Sequence, residues 1–274
     1  MPLALFAGVA EHLGRALGCR TSLVSDASRS APAPGEVDPF SKGEVELGFL
    51  CAPGYLWLAR PPRPVVELVR AAFVFDDARN GGRPAYFADL VVAADSRARS
   101  LADLAGARWG YNDPCSLSGY FSVLFELERR GLTRGHFSST AALGSHHAAL
   151  SAVEEGRIDC AAIDSNTLLL ERRAGRRPRV RVLESYGPFP VQPVVVRADL
   201  AAERQQAITS ALLGMHVDPA GARALAQAGV RRFAPVETAD YEAERALLAR
   251  VGGPFASAAC ARESSPHGLG LEKK

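Results

Sequence analysis

Trp109-Gly-Tyr-Asn-Asp-Pro-Cys-Ser-Leu-Ser-Gly-Tyr120 carries a strand into a helix through a turn. The strand is Arg108 to Tyr111, Asn112-Asp113-Pro114 breaks it, and a helix over Ser118 to Arg130 follows, closed by Gly131. A helix start has unpaired N–H groups and a partial positive charge. The Ser116 and Ser118 hydroxyls beside it complete a place for an anion. Either serine could instead serve only as the helix cap. The first turn, Gly119-Tyr120-Phe121-Ser122, carries no acid, whereas the helices near residues 200 and 240 open with Asp199 and Glu203 and with Glu237, Asp240 and Glu242. Those ends offset their own dipoles; the Ser118 helix leaves its end open, which favours an anionic ligand.

Two further stretches share this strand–turn–helix grammar. Gly144-Ser145-His146-His147 opens a helix with no acid in its first turn and adds imidazole donors, which makes His146 a candidate contact although a lone His is more often packed or on the surface. Asp159-Cys-Ala-Ala-Ile-Asp164-Ser165 is an apolar strand ending in a carboxylate. Asp164 either meets a ligand amine or caps the following helix.

Outward from this centre, apolar groups at Leu5, Val9, Leu13 and Leu17 form one face of a helix stopped by Gly18. Thr21 to Val24 reads as a short strand, Val45 to Cys51 as a buried strand entering an Ala52-Pro53-Gly54 turn, and Val65 to Phe75 as a further strand before Asn80-Gly81-Gly82. Leu90 to Ala94, Ile158 to Ile163, Val180 to Leu183 and Val191 to Val196 are short apolar strands, the last two separated by a break at Tyr186-Gly187-Pro188. Helices are expected over Ser145 to Glu155, Ala201 to Leu213, Pro219 to Ala228 and Ala239 to Val251. Alternation of helices with continuous apolar strands implies an α/β fold with parallel sheets covered on both faces. The 274 residues suit two lobes of roughly 100–150 residues.

Composition excludes several classes. Lys+Arg number 32 and Asp+Glu 30, a net charge of +2, so no concentrated basic face points to nucleic acid. The arginines between Arg172 and Arg181 lack interleaved aromatics, lie between Glu171 and Glu184, and read as a solvated loop. The five cysteines are scattered and form no CxxC pair, so neither a zinc site nor a disulfide framework is expected, and a reducing compartment would suit them. No cofactor motif is present. The first residues read as an amphipathic helix and not a signal peptide.

The order of motifs resembles the phosphate/phosphite/phosphonate-binding components of ABC importers. The resemblance rests on Gly48-Phe-Leu-Cys-Ala-Pro-Gly-Tyr55, Tyr86-Phe-Ala-Asp-Leu-Val-Val92, Asp95-Ser96 with Ser100-Leu-Ala-Asp-Leu-Ala-Gly106, the Tyr111 to Gly119 loop, Gly144-Ser-His146 and the Asp159 to Ser165 strand, and covers about residues 1 to 215. It implies a type 2 periplasmic-binding-protein fold, two lobes with a ligand cleft between them. One lobe would be residues 1–88 plus 188–274, with 254–274 a loose tail, and the other residues 89–187. Tyr86, Ser116, Ser118 and His146 would contact the oxyanion, with Leu117 and Gly119 in the same loop, Asp164 nearby, and Cys51, Ala52 and Tyr55 facing it from the first lobe. The ligand would be a small oxyanion and an ABC permease the partner of a monomer; no nucleic acid or metal is implied.

Three departures qualify this. Leu117 stands where the family usually has a hydroxyl residue, which removes one side-chain donor. Ala88 stands where a serine often follows the crossover tyrosine. The family's first strand precedes the helix that opens this sequence, so the first lobe would lack a strand. The resemblance implies a periplasmic or cell-surface location; the start as written, with no signal peptide, implies a cytoplasmic one. A cytoplasmic ligand sensor of the same fold is the alternative. An enzyme pairing Cys115 or Cys51 with His146 is a further one, with no third group to orient the pair.

Overall fold

The computed structural model describes residues 2–25, 30–32 and 34–251. The proposed tail at 254–274 and Cys260 lie outside these. Helix α1 (Leu3–Leu17) buries Leu5, Val9 and Leu13 and ends at Gly18 in the left-handed region, φ 62°, as the apolar spacing predicts. Strand β1 (Leu47–Phe49) is followed directly by α2 (Ala52–Leu58). The expected Ala52-Pro53-Gly54 turn is therefore the first turn of a helix; proline is tolerated there because those N–H groups have no intrahelical partner. The apolar run Val65 to Phe75 divides into β2 (Val66–Leu68) and β3 (Ala72–Phe75), which join different sheets.

The long strand β4 (Ala85–Ala93) leads to β5 (Arg108–Tyr111), a π-helical turn over Leu117–Phe121, and α3 (Ser122–Arg129). Then come β6 (Ser139–Ala142), α4 (His146–Glu154), β7 (Cys160–Asp164), α5 (Ser165–Arg173) and β8 (Val180–Pro190). The chain closes with β9 (Val194–Arg197), α6 (Ala202–Gly214), α7 (Pro219–Gln227), β10 (Val230–Ala234) and α8 (Glu242–Val251).

The strands form a five-stranded sheet ordered β6-β5-β7-β4-β8, a three-stranded sheet β1-β9-β2 and a β10-β3 pair. Parallel pairing is confined to β5 with β6 and β7; every other ladder is antiparallel. The expectation of parallel sheets is thus met only in part. Continuous apolar strands report burial on both faces, not direction. The break expected at Tyr186-Gly187-Pro188 does not end the strand: β8 runs through it. Gly187 adopts φ 117°, and the β4–β8 register shifts between Tyr86 and Ala88 to absorb the irregularity.

Thr21 to Val24 forms no ladder, and Leu23 and Val24 are exposed. Among the described residues, β1 has β9 on one edge and no strand on the other.

Three apolar clusters hold the fold. One packs α1, α6 and α7 against β3, β9 and β10, through Leu5, Val9, Phe73, Val194, Leu212, Leu225 and Phe233. A second covers the α4 face of the five-stranded sheet, with Val91, Leu150, Val153 and Ile163. The third joins Tyr55 and Leu56 of α2 to Leu117, Tyr120 and Leu124 around the π-helical turn and to Tyr241, Leu247 and Leu248 at α8. This last cluster presses the two sides of the molecule together, and the candidate site lies in it.

Candidate functional site

The Ser116–Gly119 loop is positioned by what surrounds it. Trp109 and Tyr120 stack at 5.6 Å between ring centroids, and Tyr111 lies 4.7 Å from Tyr120. This aromatic block fixes the end of β5 and the turn together. Gly119 sits so close to Asn112 that a Cβ would fall 1.9 Å from Asn112 Oδ1. Only glycine fits there.

Ser116 Oγ accepts a hydrogen bond from Gly119 N at 3.1 Å, so Ser116 does cap the turn. Ser118 does not cap. Its Oγ lies 3.2 Å from His146 Nε2, and it hydrogen-bonds the Tyr86 hydroxyl. The two stretches singled out in the sequence therefore meet at Ser118. Ser118 and Tyr86 are buried; His146 is half-buried as a residue, but its Nδ1 is closed off from solvent. Burial pushes the His146 imidazole down to about 3, so the ring is neutral near pH 7. Burial likewise raises the Tyr86 phenol, with the charges of Cys51, Asp164 and Glu244 acting in the same direction.

Across from this loop, Cys51 occupies the cap position of α2, and Leu117 N donates to its Sγ at 3.2 Å. Leu117, the departure from the family pattern, turns its side chain wholly into the apolar cluster. Ala52 and Tyr55 are buried beside Cys51, and Tyr55 meets Tyr241 edge-on at 5.4 Å. Asp164 lies opposite Ala88 in the β4–β7 ladder, two residues from Tyr86. It accepts Asn166 N at 2.8 Å and Gln192 Nε2 at 2.6 Å, so it is a cap engaged on both oxygens. Burial raises its carboxyl to about 6.

All ten candidates are buried or half-buried around this one region. Sequence reasoning missed Ser30, Asn112 and Asp113, which link the sides as well: Ser30 Oγ donates to Asp113, Asn112 Nδ2 donates to Ser30 Oγ at 3.2 Å, and Cys51 N donates to Ser30 O at 3.0 Å. Asn112 and Asp113 stood inside the deciding stretch and could have been found there; Ser30, in a loop rich in Ser, Ala and Pro, gave no signal. The bare-helix criterion is weaker than it looked, because α1, α2, α5 and α7 also lack an acid in the first turn. The convergence of Ser118, His146 and Tyr86 is the stronger observation.

Two thiols bear on chemistry. Burial pushes Cys51 up to about 12, which keeps it protonated. Cys115 is disulfide-bonded, contrary to the expectation of scattered thiols, while Cys19, Cys51 and Cys160 are free. Pairwise spacing in sequence could not show this, because a disulfide depends on proximity in the fold. Among the described residues no group of His, Cys, Asp and Glu could hold a metal ion. The arginines near residue 176 line a groove of about 710 Å³ on the α5–β8 side, apart from the candidate residues; Arg176 pairs with Glu171, and Arg181 donates to the carbonyls of Ser96 and Ala98.

The fold defines a two-lobed α/β binding protein of the type 2 periplasmic class. It is similar to a binding-protein component of an ABC phosphonate transporter from Pseudomonas aeruginosa, with TM-score 0.75 and 17% identity over 95% of this chain and 86% of that one. It is similar also to PhnD1 from Prochlorococcus marinus in complex with methylphosphonate, with TM-score 0.77 and 16% identity over 92% and 95%. The alkanesulfonate-binding protein SsuA from Xanthomonas axonopodis pv. citri, bound to MOPS, matches with TM-score 0.60 and 15% identity over 92% and 94%. Residues 4–241 match the family model of the phosphonate periplasmic substrate-binding proteins of ABC transporters, and the chain belongs to that family.

Proposed function

We propose that this substrate-binding component takes a phosphonate, phosphate or phosphite in the cleft at Ser118, holds it without chemical change, and presents it to an ABC permease. The observation that carries the reading is the meeting of the Ser118 hydroxyl, His146 Nε2 and the Tyr86 hydroxyl. Ser118 and Tyr86 bring hydroxyls that donate or accept, and His146 Nε2 takes either role by its tautomer, beside a turn that carries no acid. A neutral His146 donates from one nitrogen, and the hydroxyls of Ser118 and Tyr86 rotate to suit. Ser116 holds the turn in shape through Gly119 N, while Cys51 to Tyr55 close the cleft over the ligand.

Lobe boundaries follow the crossing strands β4 and β8, with residues 1–88 plus 188–274 as one lobe and 89–187 as the other. A monomer with no nucleic-acid role fits the near-neutral charge. Absence of turnover is supported by the protonated Cys51 and by the bonding of Cys115, which leave no thiolate to pair with His146. Family membership supports a periplasmic location.

The reading is tested by a thermal-shift panel of phosphate, phosphite, sulfate, methylphosphonate and 2-aminoethylphosphonate. A ligand present at about a hundred times its Kd adds about 2.7 kcal/mol, enough for a clear rise in Tm. A rise with at least one phosphorus oxyanion is expected; no rise with any of them would contradict the proposal.

A further inference from the structure

The arginines between Arg172 and Arg181 read in the sequence as a solvated loop, yet the fold gives them a cavity. The groove of about 710 Å³ lies between the end of α5 and β8, the edge strand of the five-stranded sheet. Arg172, Arg176, Arg177 and Arg181 line it, and none of its lining residues is an acid. Leu168 and Val182 supply part of its apolar wall, and Val182 is 37% exposed there.

The charges around this groove do not balance within the protein. Arg172 and Arg177 are exposed, and neither side chain has a hydrogen bond or ion pair among the described residues. Arg181 donates to the carbonyls of Ser96 and Ala98, which leaves its charge unneutralised. Only Arg176 has an acid, Glu171, and that carboxylate is shared with His147 at 2.8 Å. A second cavity of about 350 Å³ continues the groove past Leu168, Arg172 and Val182, which line both. Its acids are already occupied: Asp76 by Arg173 and Arg231, and Asp77 and Asp89 by Arg79. The excess charge is therefore positive and is concentrated at the arginine end, where guanidinium groups around one cavity repel one another.

We infer that the α5–β8 groove is a second anion site, separate from the Ser118 cleft, and that it takes a polyphosphate, with linked phosphate groups held by Arg172 and Arg177 and Arg181 beside them. A guanidinium carries a rigid fork of donors that matches phosphate oxygens in pairs, and it stays charged throughout the neutral range. A single phosphate would leave most of the cationic end uncompensated; linked phosphates offset several guanidinium groups at once. The apolar wall at Leu168 and Val182 excludes water from one side of the groove, which strengthens the ion pairs formed against it. The inference is independent of the oxyanion reading of Ser118, since the two sites share no residue.

Titration calorimetry of the full chain with sodium tripolyphosphate, at neutral pH and low salt, tests this. The wild type should bind, and the double variant Arg172→Ala with Arg177→Ala should bind about tenfold or more weakly, the value of hydrogen bonds to a charged group. Arg63→Ala with Arg223→Ala removes the same net charge from two exposed arginines outside the groove lining, and should change the affinity by no more than about twofold. Val182→Asp keeps every arginine but sets a carboxylate on the groove wall, and should also weaken binding; melting curves check that each variant folds. A wild type that does not bind tripolyphosphate overturns the site. So does undiminished binding after loss of Arg172 and Arg177, or an equal loss in the two double variants, which would reduce the effect to net charge alone.

Discussion

The two walls of the cleft are built from different materials. The Asn112–Ser122 wall, with His146, is a set of hydroxyls and an imidazole held by an aromatic block. The facing wall, Cys51 to Tyr55 with the buried face of α8, is mostly apolar and includes a protonated thiol, the Tyr55 hydroxyl and the buried carboxyl of Glu244. On the proposed reading, charge recognition is concentrated on one side, and the other supplies closure and shape. A protein built this way can hold an oxyanion firmly on one lobe while the second lobe closes over whatever the oxyanion carries.

Breaking the polar wall should have the largest effect on stability. Gly119→Val would drive a side chain into Asn112, whose Oδ1 would lie 1.9 Å from the new Cβ. Overpacking of this kind should cost about 3 kcal/mol, or a fall in Tm of roughly 6 °C or more for a domain of this size. An unchanged melting curve would show that the turn is free to shift and is not the rigid element described.

The walls should also part in their pH dependence. His146 is pushed down to about 3, so below pH 6.5 the unfolded chain takes up a proton that the fold refuses, and stability falls as pH drops. The loss should be about 2 kcal/mol near pH 4, with allowance for the part of the residue that reaches solvent. Glu244 is raised to about 7 from 4.5, so the fold holds a proton that the unfolded chain releases, and stability falls as pH rises between those values, by about 3 kcal/mol. Asp164, raised to about 6 from 3.8, adds a loss of the same sign over its own interval. Denaturant unfolding from pH 4 to 8 reads the sum of these opposing contributions. His146→Gln should make stability fall more steeply as pH rises, and Glu244→Leu should make it fall less steeply between about pH 4.5 and 7; the same change of slope in both variants would contradict the opposite signs assigned to the two groups.

Most of the polar wall was legible in the sequence because strand, turn and helix start follow one another within a dozen residues, and the hydroxyls fall at the junction. The facing wall was not. Ala52-Pro53-Gly54 reads as a turn by residue type, yet it begins α2, because proline is acceptable where no intrahelical N–H bond is due. Strand β6 was missed because Ser139-Thr-Ala-Ala142 is a mostly exposed edge with no apolar run. Glu244 looked like any acid near a helix start; its burial comes from the packing of α8 on α2 and on the 117–121 turn, which no local pattern encodes. The cap role of Asp164 was visible as one of two readings, but its bond to Gln192 joins strands far apart in sequence.

The smallest effects should separate shape from closure. Ser116→Ala removes the cap on Gly119 N and should cost about 1 kcal/mol of stability on the polar wall. Cys51→Ala removes the acceptor of Leu117 N, a weaker sulfur contact, and should cost less than about 1 kcal/mol. A larger loss of stability for Cys51→Ala than for Ser116→Ala would reverse the order assigned to the two walls.

The central claim is that the oxyanion sits at the Ser118 turn, and titration calorimetry of wild type and Ser118→Asp with methylphosphonate tests it most directly. A carboxylate placed at that buried turn should repel the ligand and weaken binding by about a hundredfold or more. Wild-type protein that binds methylphosphonate, together with a folded Ser118→Asp variant that binds it with the same affinity, would place the oxyanion elsewhere.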